Sequence, residues 1–320
     1  MKTILKVKNL KKYFPAKKAS FFGAREFVKA VDGVDFEIHE GEILGLVGES
    51  GSGKSTIGRC ILRLIDPSGG KIWFQGHDIT KLNGRELRPL RKGMQIIFQD
   101  PYSSLNPRMT VAGIIGDGLR RNTGMTAKES KGRIVEIMEK VGLRPEHYSR
   151  FPHEFSGGQR QRIGIARAIA PKPDFVICDE PLSALDVSIQ AQVINLLEQL
   201  KEEYDLSYLL ISHDLSVVEH MSDRIAVMYL GKIVELASKS QVYDDPKHPY
   251  AISLLSAVPL PRVQKNKNRI ILDGDIPSPL NPPTGCVFHT RCFRSMETCS
   301  LVAPEWKDLG GGHYTACHLY

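Results

Sequence analysis

GESGSGKST, at residues 48–56, decides the fold of this chain: it follows the apolar run EILGLV and leads into the helical pattern KSTIGRCILRLI. The stretch matches the spacing G-x-x-x-x-G-K-[ST] in the strand–loop–helix context that this phosphate-binding motif requires. Gly48, Gly51 and Gly53 allow the loop to fold tightly and turn its backbone N–H groups inward. The sequence therefore predicts a loop that holds the phosphates of a nucleotide.

Polar side chains of this phosphate loop have predicted roles of their own. Lys54 can reach the β- and γ-phosphates, and Ser55 can ligate Mg²⁺. The helix that begins near Lys54 adds the positive end of its dipole. Ser50, Ser52 and Thr56 complete the predicted ATP contacts of the loop.

A pair of acids ends a second apolar run, FVICDEP at residues 175–181. A buried strand at this position would deliver Asp179 to the coordination sphere of Mg²⁺. Glu180 follows directly, where a carboxylate can orient and deprotonate an attacking water. Paired acids at a strand end can simply be solvated, but downstream of a phosphate loop they indicate hydrolysis of a bound nucleotide.

Strand patterns alternate with helix patterns along most of the chain, which predicts an α/β core with a mainly parallel sheet. Residues 101–154 are interpreted as a helical insertion, and residues 27–38 as two strands joined by a turn at Asp32-Gly33. The 320 residues are 42% apolar and 25% charged, which is typical of a globular protein. No run of about 18 apolar residues and no secretory signal is found, so we expect a protein of the reducing cytosol.

Between the phosphate loop and the acid pair lies FSGGQRQRIGIARA, residues 155–168. Here the chain resembles the ABC transporter ATPases, whose signature LSGGQ it matches with Phe155 in place of leucine. The resemblance covers about residues 3–245 and includes further motifs in the family's order. These are Ser156, Gly157, Gly158 and Gln159 of the signature, Gln99 of the Q-loop, Asp186 of the D-loop, the switch histidine His213, and Phe14 or its neighbour Tyr13 for adenine.

The resemblance implies a P-loop NTPase, RecA-like core with an antiparallel β subdomain over 1–100 and 159–245, and a helical ABC subdomain over 101–158. It implies that Glu180, His213 and Gln99 serve catalysis, and that Ser55, Gln99 and Asp179 surround Mg²⁺. It also implies a head-to-tail dimer. Each ATP then lies between the phosphate loop of one subunit and the signature of the other.

The tail narrows the resemblance to one subfamily. DDPKHPYAISLLSAVP at 244–259 and GDIPSPLNPPTGCVFHTRC at 274–292 resemble the extension of oligopeptide/dipeptide permease ATP-binding subunits. DPYSSLNPRMTV at 100–111 resembles the F-type member of their D/F pair. This subfamily imports peptides or related solutes, so the resemblance implies two transmembrane permease subunits, a D-type ATP-binding partner and, indirectly, an extracellular solute-binding protein. The chain would then lie peripherally on the cytoplasmic face of the membrane.

The alternative is a soluble ABC ATPase that acts on nucleic acid or the ribosome. Chromosome-organising relatives need long coiled-coil arms between the two halves, whereas the insertion here has only about fifty residues. Ribosome-binding relatives carry two cassettes in one chain, and this sequence has a single phosphate loop. We therefore expect no nucleic-acid partner.

Four of the six cysteines lie in the extension predicted over 246–320, separated by 5, 6 and 17 residues. Disulfides are disfavoured in a reducing cytosol, so the group suggests a structural zinc or an iron–sulfur cluster. The gaps are longer than zinc folds usually have, without excluding zinc, and the resemblance implies a [4Fe–4S] cluster. The predicted ligands are Cys286, Cys292, Cys299 and Cys317.

The same tail has few apolar residues and many prolines, so we expect a metal to supply the stability that packing does not. His289, His313 and His318 are expected in the outer shell of the metal or at the surface. Cys60 and Cys178 fall in a predicted helix and strand, which makes them core thiols.

Overall fold

A computed structural model describes residues 2–16, 26–257 and 270–320. The chain divides into two compact units. The first is Met1–Ile4, Ile38–Glu42 and Gln75–Ile211, and the second is Leu5–Glu37, Ile43–Phe74 and Ser212–Tyr320. The domain boundaries predicted from the sequence stay a prediction. No helix in the described ranges is both long and apolar enough to cross a bilayer.

The strands, in chain order, are β1 (Thr3–Pro15), β2 (Phe27–His39), β3 (Ile43–Val47), β4 (Gly69–Phe74), β5 (His77–Asp78), β6 (Met94–Ile97), β7 (Phe175–Asp179), β8 (Ser207–Ile211), β9 (Arg224–Tyr229), β10 (Lys232–Ser238), β11 (Lys307–Asp308) and β12 (Tyr314–Thr315). The α-helices are α1 (Lys54–Ile61), α2 (Gly84–Leu90), α3 (Pro101–Ser104), α4 (Val111–Thr123), α5 (Ala127–Lys140), α6 (Gly157–Ile169), α7 (Val187–Tyr204), α8 (Leu215–Met221), α9 (Lys239–Asp244), α10 (Pro249–Ser256) and α11 (Glu297–Leu301). Short 3-10 helices cover Pro145–Ser149, Pro152–Glu154 and His289–Arg291.

The first unit is built on the parallel strands β6, β7 and β8, with β7 in the middle. Every residue of β7 and β8 is buried, as expected for parallel strands covered on both faces. In the register of the two, Asp179 lies opposite Ile211, so the acid pair leaves the sheet at the carboxyl end of its central strand.

The predicted helical insertion is helical in the structure, with α4 packed on α5 and α6. Its helices begin at threonine caps: Thr110 accepts the N–H of Gly113, and Thr126 forms a capping box with Glu129. Gly124 ends α4 in the left-handed conformation. Local capping chemistry therefore sets the limits of these helices.

In the second unit β3 pairs with β9 in parallel, and β9 and β10 form an antiparallel hairpin around the tight turn at Gly231. The sheet continues through β12 to β11, so its edge is made by the last residues of the chain. A second sheet has the strand order β2-β1-β4, with β1 and β4 antiparallel. The second unit is therefore mixed, whereas the sequence predicted a mainly parallel sheet.

The prediction of two strands joined by a turn at Asp32-Gly33 is wrong, because β2 is a single strand over Phe27–His39. Gly33 has φ +81, a conformation that glycine supplies for a local irregularity as readily as for a hairpin turn. The Asp32 carboxylate accepts a hydrogen bond from Tyr13 and lies 3.3 Å from the Lys232 ammonium. These contacts with neighbouring strands suit a strand that continues.

Candidate nucleotide site

The phosphate loop joins the fully buried strand β3 to helix α1. Gly48 has φ +152, and a Cβ there would lie 2.1 Å from the carbonyl oxygen of Met228. Gly53 has φ +108, and a Cβ there would lie 2.0 Å from the carbonyl oxygen of Ala30. Neither position can carry a side chain without moving backbone, so the loop's shape depends on both glycines.

Lys54, the first residue of α1, is only 4% exposed. Its ammonium group donates to the carbonyl oxygens of Gly48 at 2.7 Å and Glu49 at 3.0 Å. The loop is also held at Ser52, whose carbonyl accepts the N–H of Gly231 at 2.9 Å. The Lys54 side chain, which would bind the β- and γ-phosphates, is therefore hydrogen-bonded to the backbone of the loop that would surround them.

The other predicted residues of this loop differ in accessibility. Ser50 and Gly51 are exposed, Ser55 and Thr56 are half-buried, and Ser52 is buried. The Ser55 hydroxyl and the Asp179 carboxylate are hard oxygen donors of the kind that Mg²⁺ takes. Their chemistry fits the ion, and their role as its ligands stays a prediction.

The acid pair has a distinct backbone geometry. Asp179 is 2% exposed and ends β7, and the N–H of Glu180 donates to Ile211 at 3.0 Å. Glu180 has φ +46, a left-handed conformation that costs an L-residue about 1–2 kcal/mol and that marks functional turns.

Gln99 lies beside this acid pair. Its side-chain amide donates to Oε2 of Glu180 at 2.7 Å, which fixes the orientation of the carboxylate. The structure thus brings two of the three predicted catalytic residues into direct contact, 81 positions apart in sequence.

The signature forms the start of α6. Ser156 caps this helix, and it forms a capping box with Gln159. A Cβ on Gly158 would lie 2.6 Å from Cγ2 of Ile189, whereas one on Gly157 would meet nothing closer than 4.0 Å. Gly158 is therefore required for packing against α7, and Gly157 leaves the helix N-terminus open.

Asp186 of the predicted D-loop caps helix α7. Its carboxylate accepts the N–H of Ile189 at 3.0 Å and the hydroxyl of Ser188 at 2.7 Å. The Ser188 hydroxyl, and then the Ile189 N–H, hold the pKa of this carboxyl below its usual value. Within the first unit, the signature and the D-loop are joined through Ile189.

The adenine candidates and the switch histidine lie in the second unit. The Tyr13 hydroxyl donates to Asp32, and burial with this contact raises the pKa of Tyr13 to about 12. Phe14 is 37% exposed, with the Lys12 ammonium 4.9 Å from its ring centre. Phe14 is thus the better stacking surface. His213 is exposed between β8 and α8.

The predicted site residues thus fall into two sets. The first unit holds Gln99, the acid pair, the signature and Asp186, and the second holds the phosphate loop, Tyr13, Phe14 and His213. That the two sets complete one ATP site stays a prediction.

The predicted metal-binding extension is not supported by the structure. Across the described ranges, no three His, Cys, Asp or Glu side chains are arranged to hold a metal ion. Cys286 and Cys299 are buried, and Cys292 and Cys317 are half-buried. Burial, and to a smaller extent the other three thiols, raise the pKa of Cys286 to about 11, against a hydrogen bond from the N–H of Phe288. Cys60 and Cys178 are fully buried core thiols, as predicted.

The expectation that this tail buries little apolar surface is wrong, because its aromatic residues pack into the second unit. Phe288 and Tyr250 are both fully buried, with ring centres 5.3 Å apart, and Phe288 lies edge-on to Tyr229 at 5.1 Å. Burying aromatic side chains of this size contributes several kcal/mol. A few well-placed apolar residues therefore order a segment that is polar on average.

Glu235 of β10 is 0% exposed and was not predicted as a functional or structural residue from the sequence. Its carboxylate accepts the N–H groups of Lys247 at 2.9 Å and His248 at 2.7 Å, and pairs with Nε2 of His313 at 2.8 Å. Burial raises the pKa of Glu235, against the effect of these hydrogen bonds. Of the two roles predicted for His313, the surface position is wrong, because the side chain is 4% exposed and pairs with Glu235; the outer-shell role stays a prediction. An acid within the apolar run of β10 is the signal that could have found this group.

Two family models match the chain: "ABC transporter" over residues 31–183, and "Oligopeptide/dipeptide transporter, C-terminal region" over 234–299. The oligopeptide transport ATP-binding protein AppF of Bacillus subtilis (strain 168) is 53% identical over 321 residues, 99% of this chain and 98% of the relative. The dipeptide transport ATP-binding protein DppF of Escherichia coli (strain K12) is 49% identical over 308 residues, 96% and 92% of the two chains. The dimeric post-hydrolysis structure of the ATP-binding cassette MJ0796 with ADP and Pi has a TM-score of 0.65 at 28% identity, covering 73% of this chain and 98% of that one.

The fold and the motifs it positions are those of an ATP-binding cassette ATPase, a P-loop NTPase with mixed sheets and helices. Within that class, the chain belongs to the family of oligopeptide and dipeptide transport ATP-binding proteins. The family predicted from the signature and the tail is thereby confirmed.

Proposed function

We propose that this chain is the ATP-hydrolysing subunit that powers import of oligopeptides or dipeptides through an ABC transporter. The hydrogen bond between Gln99 and Glu180 is the main observation in favour of ATP hydrolysis, because it holds a carboxylate in place one residue after the buried Asp179. The solute class rests on relatives that are named for peptide transport and match nearly the whole chain. They favour import over the nucleic-acid alternative.

In the proposed reaction, Lys54 and the backbone of the phosphate loop hold the triphosphate, and Ser55, Gln99 and Asp179 surround Mg²⁺. Mg²⁺ supplies charge neutralisation at the β- and γ-phosphates when it is bound. Glu180 orients and deprotonates the attacking water, since a general base must lie within hydrogen-bond reach of the proton it takes. His213 contacts the γ-phosphate, and Phe14 stacks on the adenine.

A second ATP-binding subunit, of the D-type, completes each site in a head-to-tail dimer. The signature supports this, because Ser156 is exposed and nothing crowds the backbone at Gly157. A helix N-terminus of this kind attracts a phosphate. Val187, next to the D-loop, is 82% exposed, as expected for an apolar residue that a partner covers. The MJ0796 cassette is likewise described as a dimer.

Closure of such a dimer on ATP, and its opening after hydrolysis, would drive two transmembrane permease subunits. The chain would then bind peripherally at the cytoplasmic face of the membrane. An extracellular solute-binding protein would deliver the peptide without touching this chain.

Reconstitution with the permease partners in proteoliposomes tests this function. We expect ATP hydrolysis that rises several-fold when a solute-binding protein loaded with peptide is added, together with peptide uptake. The same complex with Glu180→Gln should bind ATP and transport nothing. ATP hydrolysis that responds to nucleic acid and is indifferent to the loaded binding protein would refute the proposal.

The four thiols of the extension are further proposed to hold one [4Fe–4S] cluster, with zinc as the alternative. The donor chemistry supports this proposal, since thiolates are the ligands of such clusters, and the N–H of Cys286 donates to the carbonyl oxygen of Cys299 at 2.8 Å, which brings the backbone of two of the four together. A bound cluster would add cross-links between segments that packing already orders. Metal analysis of protein purified without oxygen should give about four irons per chain. One zinc and no iron per chain would establish the zinc alternative. Protein that contains neither iron nor zinc would refute both proposals.

A further inference from the structure

We propose that Arg291 of the C-terminal extension is a positioning residue for the nucleotide site, acting through Glu49 of the phosphate loop. Its guanidinium forms a two-pronged ion pair with the Glu49 carboxylate, with Nη1 at 2.8 Å from Oε2 and Nη2 at 3.3 Å from Oε1. The Arg291 side chain is 9% exposed and that of Glu49 is 26% exposed. Such planar, paired contacts fix orientation as well as charge.

The extension holds the same loop residue at a second point. The N–H of Glu49 donates to the Tyr250 hydroxyl at 2.8 Å, and Tyr250 is fully buried. Both contacts come from the segment after residue 246, more than 200 positions along the chain from the loop. Backbone and side chain of Glu49 are therefore both fixed by the extension.

Glu49 also accepts hydrogen bonds from two other residues of the phosphate loop. Its carbonyl oxygen accepts from the Lys54 ammonium at 3.0 Å and from the N–H of Ser52 at 3.2 Å. A displacement of Glu49 therefore moves the carbonyl that receives the phosphate-binding lysine. Shifts of about 1 Å at such a position are enough to change binding and rate.

Arg291 also compensates a negative charge within the phosphate loop. Glu49 is the single acid of the loop GESGSGKST, in which Lys54 is the single base. A carboxylate without a partner beside a triphosphate would repel it, and the repulsion is large where the surroundings are partly buried. Arg291 neutralises this carboxylate from the side of the extension.

Arg291 is tied in turn to the cysteine segment. It directly precedes Cys292, and its N–H donates to the carbonyl oxygen of Phe288 at 3.0 Å. The ring of Phe288 in turn packs against Tyr229 and Tyr250. Any change that displaces this segment would displace Arg291 as well. The extension would thereby set the ATP affinity of the chain.

Nucleotide titration of the full chain tests the inference, with Arg294→Gln as the matched control. Arg294 is an exposed arginine three positions away whose side chain lies near the Phe293 ring. Arg291→Gln should weaken binding of a fluorescent ATP analogue about tenfold, as expected for one uncompensated charge. In the assembled transporter it should raise KM for ATP similarly, with kcat within about twofold. Arg294→Gln should match the wild type.

Removing the charge of Glu49 distinguishes an effect of Arg291 through the Glu49 carboxylate from an effect of Arg291 on packing alone. Glu49→Gln should bind the analogue at least as tightly as the wild type, and Glu49→Gln with Arg291→Gln should recover to within about threefold. Arg291→Gln that binds like the wild type would overturn the inference, as would a double variant as weak as Arg291→Gln alone. If Arg291→Gln fails to fold, Glu49→Gln decides: an affinity well below that of the wild type contradicts the charge argument.

The inference rests on the proposed function only in that ATP is the nucleotide. The two fail differently: a wrong solute class leaves the titration unchanged, whereas absence of any ATP binding by the wild type removes the proposed function itself.

Discussion

Lowering the pH should destabilise the second unit through His248. This residue is 1% exposed, and its Nδ1 accepts the N–H of Tyr250 at 3.1 Å where α10 begins. Burial lowers the pKa of His248 to about 3, against about 6.5 for the unfolded chain. Between these values the unfolded state binds the extra proton. The stability contributed by neutral His248 is therefore complete above about pH 6.5 and is lost as the pH falls towards 3.

The size of the effect follows from the two pKa values. Between pH 7 and pH 5 the loss is about 2 kcal/mol, and it depends little on the folded value because pH 5 lies well above it. His248→Asn provides the comparison, since asparagine can also cap a helix and does not titrate.

The assay is chemical denaturation of both proteins at pH 7 and pH 5. Both tryptophans, Trp73 and Trp306, lie in the second unit, so their fluorescence follows its unfolding. We expect the wild type to lose about 2 kcal/mol more than His248→Asn on going to pH 5. Equal losses in the two proteins would refute the reasoning.

Three further changes give separate tests. Glu180→Gln in the assembled transporter should lower steady-state phosphate release about a hundredfold or more, because the amide keeps the shape and removes the base; turnover near the wild-type rate would remove Glu180 from this role. Gly158→Ala should destabilise the first unit by about 1–3 kcal/mol in thermal unfolding, since its Cβ would lie 2.6 Å from Ile189; an unchanged melting temperature would contradict the packing. Glu235→Gln should cost about 3 kcal/mol of unfolding free energy because it breaks a buried charge network, whereas Glu37→Gln, at a partly exposed ion pair, should cost less than about 1 kcal/mol. Similar losses in these two variants would count against the network.

Local motifs could be predicted from the sequence because neighbouring residues determine them. The glycines of the phosphate loop and the apolar run before Asp179 each lie within a few positions of the structure that they determine. The contact between Gln99 and Glu180 was not predicted: the resemblance implied only that both serve catalysis, and no spacing rule joins positions 81 apart.

The extension could not be predicted in the same way. Its proline-rich composition suggested a segment that packing could not order, whereas Phe288 and Tyr250 are fully buried. Composition averages over residues, and burial is decided by a few of them. The ion pair of Arg291 with Glu49 likewise leaves no local pattern, because its partners are 242 positions apart.

Glu235 shows why the extension belongs with the second unit and is not an appendage. A carboxylate that is 0% exposed is costly unless its hydrogen bonds are made, and its partners here are the backbone at 247–248 and the ring of His313. Both partners lie after residue 245, and both must be in place at once. The buried acid in β10 therefore makes the order of the core strand depend on two separate parts of the extension. The same extension holds Glu49, so the stability of this unit and the shape of its phosphate loop rest on common contacts.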